Sequence, residues 1–242
     1  MVKIYLSPSN QPNNKYIVGD TNEKAEMEAV AKIIKSILDK EYDCETFLAT
    51  LNLGTDLNER TAEAKSNGCD IYLAIHSNAG GNNTASGAVA FYHPDSTTGK
   101  LLATNIVNEL GVICPIESNR INSVINGMNA FGGIGYGEIR NPSSVGLTAV
   151  IAETDFHDNP LTAKWIIENK NEIARAYVNA IVKIFNINNK TNIEELEEVE
   201  EVAVVIKYYK VQVGAFSSKE NAEKLLEKVK SLGFEDAFIQ YN

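Results

Sequence analysis

A histidine that ends an apolar run, and two glutamates in comparable settings, are the residues of this 242-residue chain best placed to do chemistry together. Residues 71–75 form an apolar run rich in branched and aromatic residues, and the pattern then breaks into His76, Ser77 and Asn78, all able to bond or ligate. Gly68 before the run and Ala79-Gly80-Gly81 after it predict a short buried strand of a mostly parallel sheet. In open α/β sheets, ligands sit outside the carboxyl ends of such strands. Glu153 ends a second apolar run, 149–152, and a carboxylate there is costly to bury without a partner. Glu23 falls in the first turn of a predicted helix, where the helix dipole favours an acid. Taken alone, it reads as an ordinary first-turn charge. Taken together, the three suit a hydrolytic metal centre. Zinc in hydrolases takes His and carboxylate ligands and leaves one position for water. A nearby carboxylate deprotonates that water and later protonates the leaving group. Glu23 and His76 are then the ligands and Glu153 the general base.

Two further histidines stand apart. His93 precedes Pro94 in a turn and is expected to be exposed. His157 lies just beyond Glu153 and reads equally as a substrate contact, a ligand or a plain loop residue.

The elements that must position these residues follow from periodicity. Strands are predicted over 3–6, 46–50, 71–75, 87–92 and 149–152. Helices are predicted from Thr21-Asn22-Glu23 through Leu38, over 57–67 and 99–110, and over most of 161–187. Residues 115–146 carry eight glycines and prolines among asparagines and read as an irregular edge around the site. Alternation of strands and helices at this spacing argues an α/β domain with a mostly parallel or mixed central sheet flanked by helices, over residues 1–187. Residues 188–206 read as an acidic linker, with six glutamates between Glu194 and Glu201. A small βαβ module is predicted over 207–242: strand 208–216, helix 219–232 and strand 237–239.

Net charge is −10, which argues against nucleic acid as a partner, since phosphate binding needs clustered Lys and Arg. Cys44, Cys69 and Cys114 are odd in number and lack CxxC spacing, so they read as reduced thiols. The opening residues lack a signal-peptide core, and no run of 18 apolar residues codes a membrane anchor. The expectation is a chain made in the cytoplasm that reaches any outside target after release.

Three segments carry a family resemblance. Thr21-Asn22-Glu23, Ala74-Ile75-His76-Ser77-Asn78-Ala79 and the run from Ala149 to Pro160 resemble the zinc-dependent N-acetylmuramoyl-L-alanine amidases of the amidase 3 family. The resemblance implies hydrolysis of the amide between N-acetylmuramic acid and L-alanine of the peptidoglycan stem. It also implies zinc on Glu23 and His76, with Glu153 catalytic. Asn78 and Arg140 occupy positions similar to those that support substrate in the family, and His157 is a further candidate contact. One departure matters. Where the family has a glycine-histidine-glycine loop after the first strand, this chain has Ser9-Asn10-Gln11. Amide oxygens are weak zinc ligands beside imidazole or carboxylate. Gln11 is favoured as third ligand for its place in the loop, with Asn10, His157, or two protein ligands and extra water as alternatives.

The segment 208–216, with Asn221-Ala222 and Leu232-Gly233-Phe234, is similar to SPOR (sporulation-related repeat) domains, which bind peptidoglycan glycan strands. Gln212 and Phe216 are the candidate glycan contacts. Only half of such a domain is present, and the open strand edge it would leave predicts a homodimer through 207–242. A phage endolysin, or a lysis enzyme of a spore former, would combine these parts. The competing reading is a catalytically silent peptidoglycan-binding protein. Another zinc amide hydrolase with the same residues would differ only in the bond cut.

Overall fold

The computed structural model describes residues 1–50, 56–190, 213–234 and 237–239. The chain divides into two compact units, Met1–Thr191 and Asn192–Asn242.

The first unit is built on a six-stranded sheet in the order β2-β1-β3-β6-β4-β5. Its strands are β1 (Val2–Pro8), β2 (Cys44–Leu48), β3 (Ile71–Asn78), β4 (Val89–Tyr92), β5 (Val124–Asn126) and β6 (Thr148–Phe156). β2, β1, β3 and β6 run parallel, while β4 pairs antiparallel with β6. The sheet is therefore mixed, as expected of this fold class. Alternate residues of each strand face opposite sides, and the core splits accordingly. Ile4, Leu6, Ile71, Leu73, Ile75, Val150 and Ala152 join one buried cluster. There they meet Met27, Val30 and Ile34 of α1 (Glu23–Glu41), Leu102 and Ile106 of α3 (Thr97–Ile113), and Tyr177 and Ile181 of α7 (Lys170–Phe185). Tyr5, Tyr72, Ala74, Ala149 and Ile151 point the other way, to Ala64 of α2 (Leu57–Ser66) and Ile139 of α5 (Gly137–Ser144).

Several boundaries depart from the sequence reading. The 115–146 stretch is not all loop: it holds β5, a 3-10 turn at Gly127–Asn129, the one-turn α4 (Ala130–Gly133) and α5. Three residues paired at a sheet edge, and a helix interrupted by Pro142, are too short for periodicity to register. The predicted helix over 161–187 is two, α6 (Pro160–Glu168) and α7, divided at Asn169, whose Nδ2 donates to the Trp165 carbonyl. Strand 46–50 begins two residues earlier, at Cys44.

In the second unit, α8 (Lys219–Ser231) forms where a helix was expected. Among the described residues, 213–216 and 237–239 are not in strand. The expected strand residues 208–212, with Gln212, and the glutamate run 194–201 lie outside them.

Candidate active site

Strand parity sets up the site. His76 continues the Tyr72, Ala74 side of β3, and Glu153 continues the Ala149, Ile151 side of β6. The two are direct partners in the β3–β6 register, so both side chains leave the carboxyl edge of the sheet on the α5 side. Ser7 of β1, two residues on from Tyr5, faces the same way. Glu23 arrives from the other layer. Asn22 caps α1 by accepting from the Ala25 N–H, which places Glu23 as the first helical residue over the sheet edge.

His76 is held from both sides of its ring. Nδ1 lies 2.8 Å from Glu23 Oε1, and Nε2 lies 2.9 Å from Glu138 Oε2. The other oxygen of Glu23 accepts from Asn14 Nδ2 at 2.7 Å, and the same amide donates to Gln11 Oε1 at 3.0 Å. Gln11 Nε2 is 3.4 Å from His76 Nδ1. On the Nε2 side, Glu138 Oε1 accepts from Ser7 Oγ at 2.7 Å and from the Tyr72 hydroxyl at 3.0 Å. Behind them, buried Arg60 donates from Nη1 to Ser7 Oγ and to the Pro8 carbonyl.

The charges follow from this packing. Burial opposes a charge on His76, but its bonds to Glu138 and Glu23 outweigh burial and raise its pKa well above the ordinary 6.5. Burial likewise opposes ionisation of Glu23 and Glu138, and the bonds to His76 overcome it, holding both carboxyls below their usual range. Glu153 differs. Burial pushes it up to about 7; the His76 charge pulls against that, and Glu23 and Glu138 reinforce it. Its buried Oε2 accepts no hydrogen bond. Two carboxylates are thus kept ionised and a third is held near neutrality within one cluster, a division of roles that environment alone can impose on chemically equal groups.

The remaining candidates scatter. His157 is buried and stacked on Tyr16, with ring centroids 5.1 Å apart, and its Nδ1 lies 2.9 Å from the Ser77 carbonyl oxygen. The structure gives that nitrogen a bracing task between β3 and the segment after β6. Asn78 accepts from the Ala79 N–H through its side chain and from the His157 N–H through its carbonyl, closing the same corner. Arg140 is exposed on α5 and donates to the Ile134 carbonyl at 3.1 Å, tying down the glycine-rich segment before it. His93 is half-buried, with Nδ1 accepting from the Asp95 N–H in a turn remote from the cluster in sequence. Phe216 is about half exposed in the second unit, at 49%.

Glu138 and Arg60 were missed by sequence reasoning. Glu138 lies in the glycine-rich stretch, 62 residues from His76, and nothing in its spacing points there. Arg60 reads as one charge on a solvated helix face.

Glu23, His76 and Gln11 bring one carboxylate, one imidazole nitrogen and one amide to the same side of the ring. Two strong donors and one weak one fit a zinc site with room for water in chemistry, though not in count. Among the described residues, no group of three His, Cys, Asp or Glu is arranged around a single metal position.

Comparison with known proteins decides the family. Residues 9–183 match the N-acetylmuramoyl-L-alanine amidase family. The chain belongs to that family. Residues 206–242 match the SPOR domain. The chain is 27% identical to the sporulation-specific N-acetylmuramoyl-L-alanine amidase of Bacillus subtilis, over 99% of this chain and 85% of that protein. It is likewise 27% identical to the N-acetylmuramoyl-L-alanine amidase CwlM of Bacillus licheniformis, covering 100% of this chain and 85% of that one. The amidase fold recurs in the N-acetylmuramoyl-L-alanine amidase from Clostridium difficile 630, with a TM-score of 0.64 and 20% identity over 76% of this chain and 97% of that chain. It recurs also in the catalytic domain of CwlV from Bacillus (Paenibacillus) polymyxa, with a TM-score of 0.62 and 16% identity over 77% and 99% of the two chains. As an amidase of this family with a SPOR segment, the chain has peptidoglycan as its substrate class.

Proposed function

We propose that this amidase hydrolyses the amide between N-acetylmuramic acid and L-alanine with Glu153 as general base, at a zinc site formed by Glu23, His76 and Gln11. The observation that carries the reading is Glu153 itself: a half-buried carboxylate with one buried, unbonded oxygen, pushed up to about 7, beside His76 in the sheet register. A general base works best with a pKa near the operating pH. Bound zinc would supply a Lewis acid for the scissile carbonyl and lower the pKa of a water. Glu153 takes a proton from the attacking water as its oxygen bonds to the carbonyl carbon. It then delivers that proton to the amide nitrogen as the C–N bond breaks, leaving the lactyl carboxyl group and the free amine of L-alanine. Asn14 keeps Glu23 and Gln11 together on one side of His76. Asn78, Arg140 and His157 enter this reading as supports of the substrate groove.

The SPOR segment would hold the enzyme on glycan strands, with Gln212 and Phe216 as contacts. Exposed Val213, Phe216, Leu232, Phe234 and Phe238 in a small unit favour its burial against a second copy, hence a homodimer.

The test uses the full chain. Bound metal is counted, and wall lysis is assayed before chelation, after it and after zinc return, beside Glu153→Gln. The reading expects about one zinc per chain, lysis lost and regained, and a variant that binds walls without cutting them. Lysis that survives either chelation or Glu153→Gln overturns it. That no third strong donor joins Glu23 and His76 among the described residues favours the second reading, a silent wall-binding protein, which expects no metal, no lysis and unchanged wall binding.

A further inference from the structure

We infer that Glu138 is a positioning residue that presents Nδ1 of His76 to the metal side of the site; this rests on the zinc reading above. An imidazole offers one metal position through each nitrogen, and here the two sides are chemically unlike. On the Nδ1 side stand Glu23 Oε1 at 2.8 Å and the Gln11 side-chain amide, its Nε2 at 3.4 Å. Asn14 bridges those two, and Gln11 is exposed to solvent, so an ion has an entry path. The Nε2 side is closed. Glu138 Oε2 sits 2.9 Å from the nitrogen, and Glu138 Oε1 is already bonded by Ser7 and by Tyr72. The Arg60 guanidinium is one hydrogen bond behind, on Ser7 Oγ at 2.7 Å, and its positive charge disfavours a second cation on this side of the ring. Glu138 cannot join Glu23 and His76 around one ion without leaving this cradle, because the ring lies between the two carboxylates.

What remains for Glu138 is the carboxylate–histidine–metal arrangement. It accepts the Nε2 proton, fixes the ring plane and leaves Nδ1 bare for the ion. Ser7, Tyr72 and Arg60 hold Glu138 in turn, so hydrogen bonds between buried side chains run from Arg60 to His76. A site with two strong donors among the described residues depends on such fixing more than one with three.

The experiment measures zinc affinity of the full chain by competition with a chromophoric chelator, for the wild type, Glu138→Ala and Glu138→Gln. The His76 ring N–H resonances are recorded alongside. Removing a carboxylate of this kind weakens metal binding about 10–100-fold. The expected result is a loss of that size in Glu138→Ala, with the slowly exchanging Nε2 proton gone. Glu138→Gln keeps an acceptor oxygen in place and should recover much of the affinity and the resonance. If Glu138→Ala fails to fold, Glu138→Gln and Tyr72→Phe carry the test: each should weaken zinc by a smaller factor while the Nε2 proton persists. Wild-type affinity in a folded Glu138→Ala overturns the inference, as does an Nδ1 proton in the zinc-bound state. A wild type that binds no zinc instead overturns the zinc reading, and the Nε2 resonance then shows whether Glu138 still holds the ring.

Discussion

Replacing Glu153 by glutamine should stabilise the metal-free protein, and only above mildly acidic pH. Glu153 is half-buried, with its Oε2 wholly covered, near His76, Glu23 and Glu138, and its carboxyl is pushed up from the ordinary 4.5 to about 7. Between those values the folded chain keeps a proton that the unfolded chain gives up. The folded state therefore binds more protons across this window, and stability contributed by the group falls as pH rises through it. Above pH 7 the decline is complete. The difference between about 7 and 4.5 corresponds to about 3 kcal/mol at 1.36 kcal/mol per pH step. Glutamine mimics the protonated acid in shape and removes the charge. The expected gain is at most about 1 kcal/mol at pH 5 and about 3 kcal/mol at pH 8. Urea unfolding of the chelator-treated full chain, followed through Trp165, reads this directly, because the chain's single tryptophan is buried in the first unit. An equal gain at pH 5 and pH 8, or a loss at pH 8, would refute the account of Glu153 as a carboxylate raised by burial.

Three other outcomes follow from the same geometry. Zinc binding to the chelator-treated chain should release about one proton near neutral pH, taken from the raised His76, and calorimetry in buffers of different ionisation enthalpy measures it; no release would mean that His76 is not displaced from its ion pair. Arg60→Met should cost about 1–3 kcal/mol in urea unfolding, since it strips donors from Ser7 Oγ and the buried Pro8 carbonyl, and an unchanged midpoint would count against the cradle behind Glu138. Gly87→Ala should destabilise by more than about 1 kcal/mol: its φ is +104°, and a Cβ there would lie 1.9 Å from Ser118 Oγ.

The strands, the helices and the mixed α/β class were legible because β1, β3 and β6 are apolar runs and α1 and α7 keep a helical stripe, whereas the order of the strands was not. Periodicity survives in any element long enough to bury a face. The same rule explains the misses, since β5 and α5 are too short to show a period. In the site, sequence placed Glu23, His76 and Glu153 at strand ends and a helix start, where chemistry collects in this kind of sheet. It could not say that His76 and Glu153 are neighbours in register, or that Glu23 would reach His76 from the opposite layer. Glu138, Ser7, Tyr72 and Arg60 meet only because α2 and α5 pack on one face of the sheet, and residues up to 131 positions apart carry no local mark of such a meeting. Burial and the arrangement of charge, which separate a glutamate near 7 from two held below their ordinary range, exist only once the chain has folded around them.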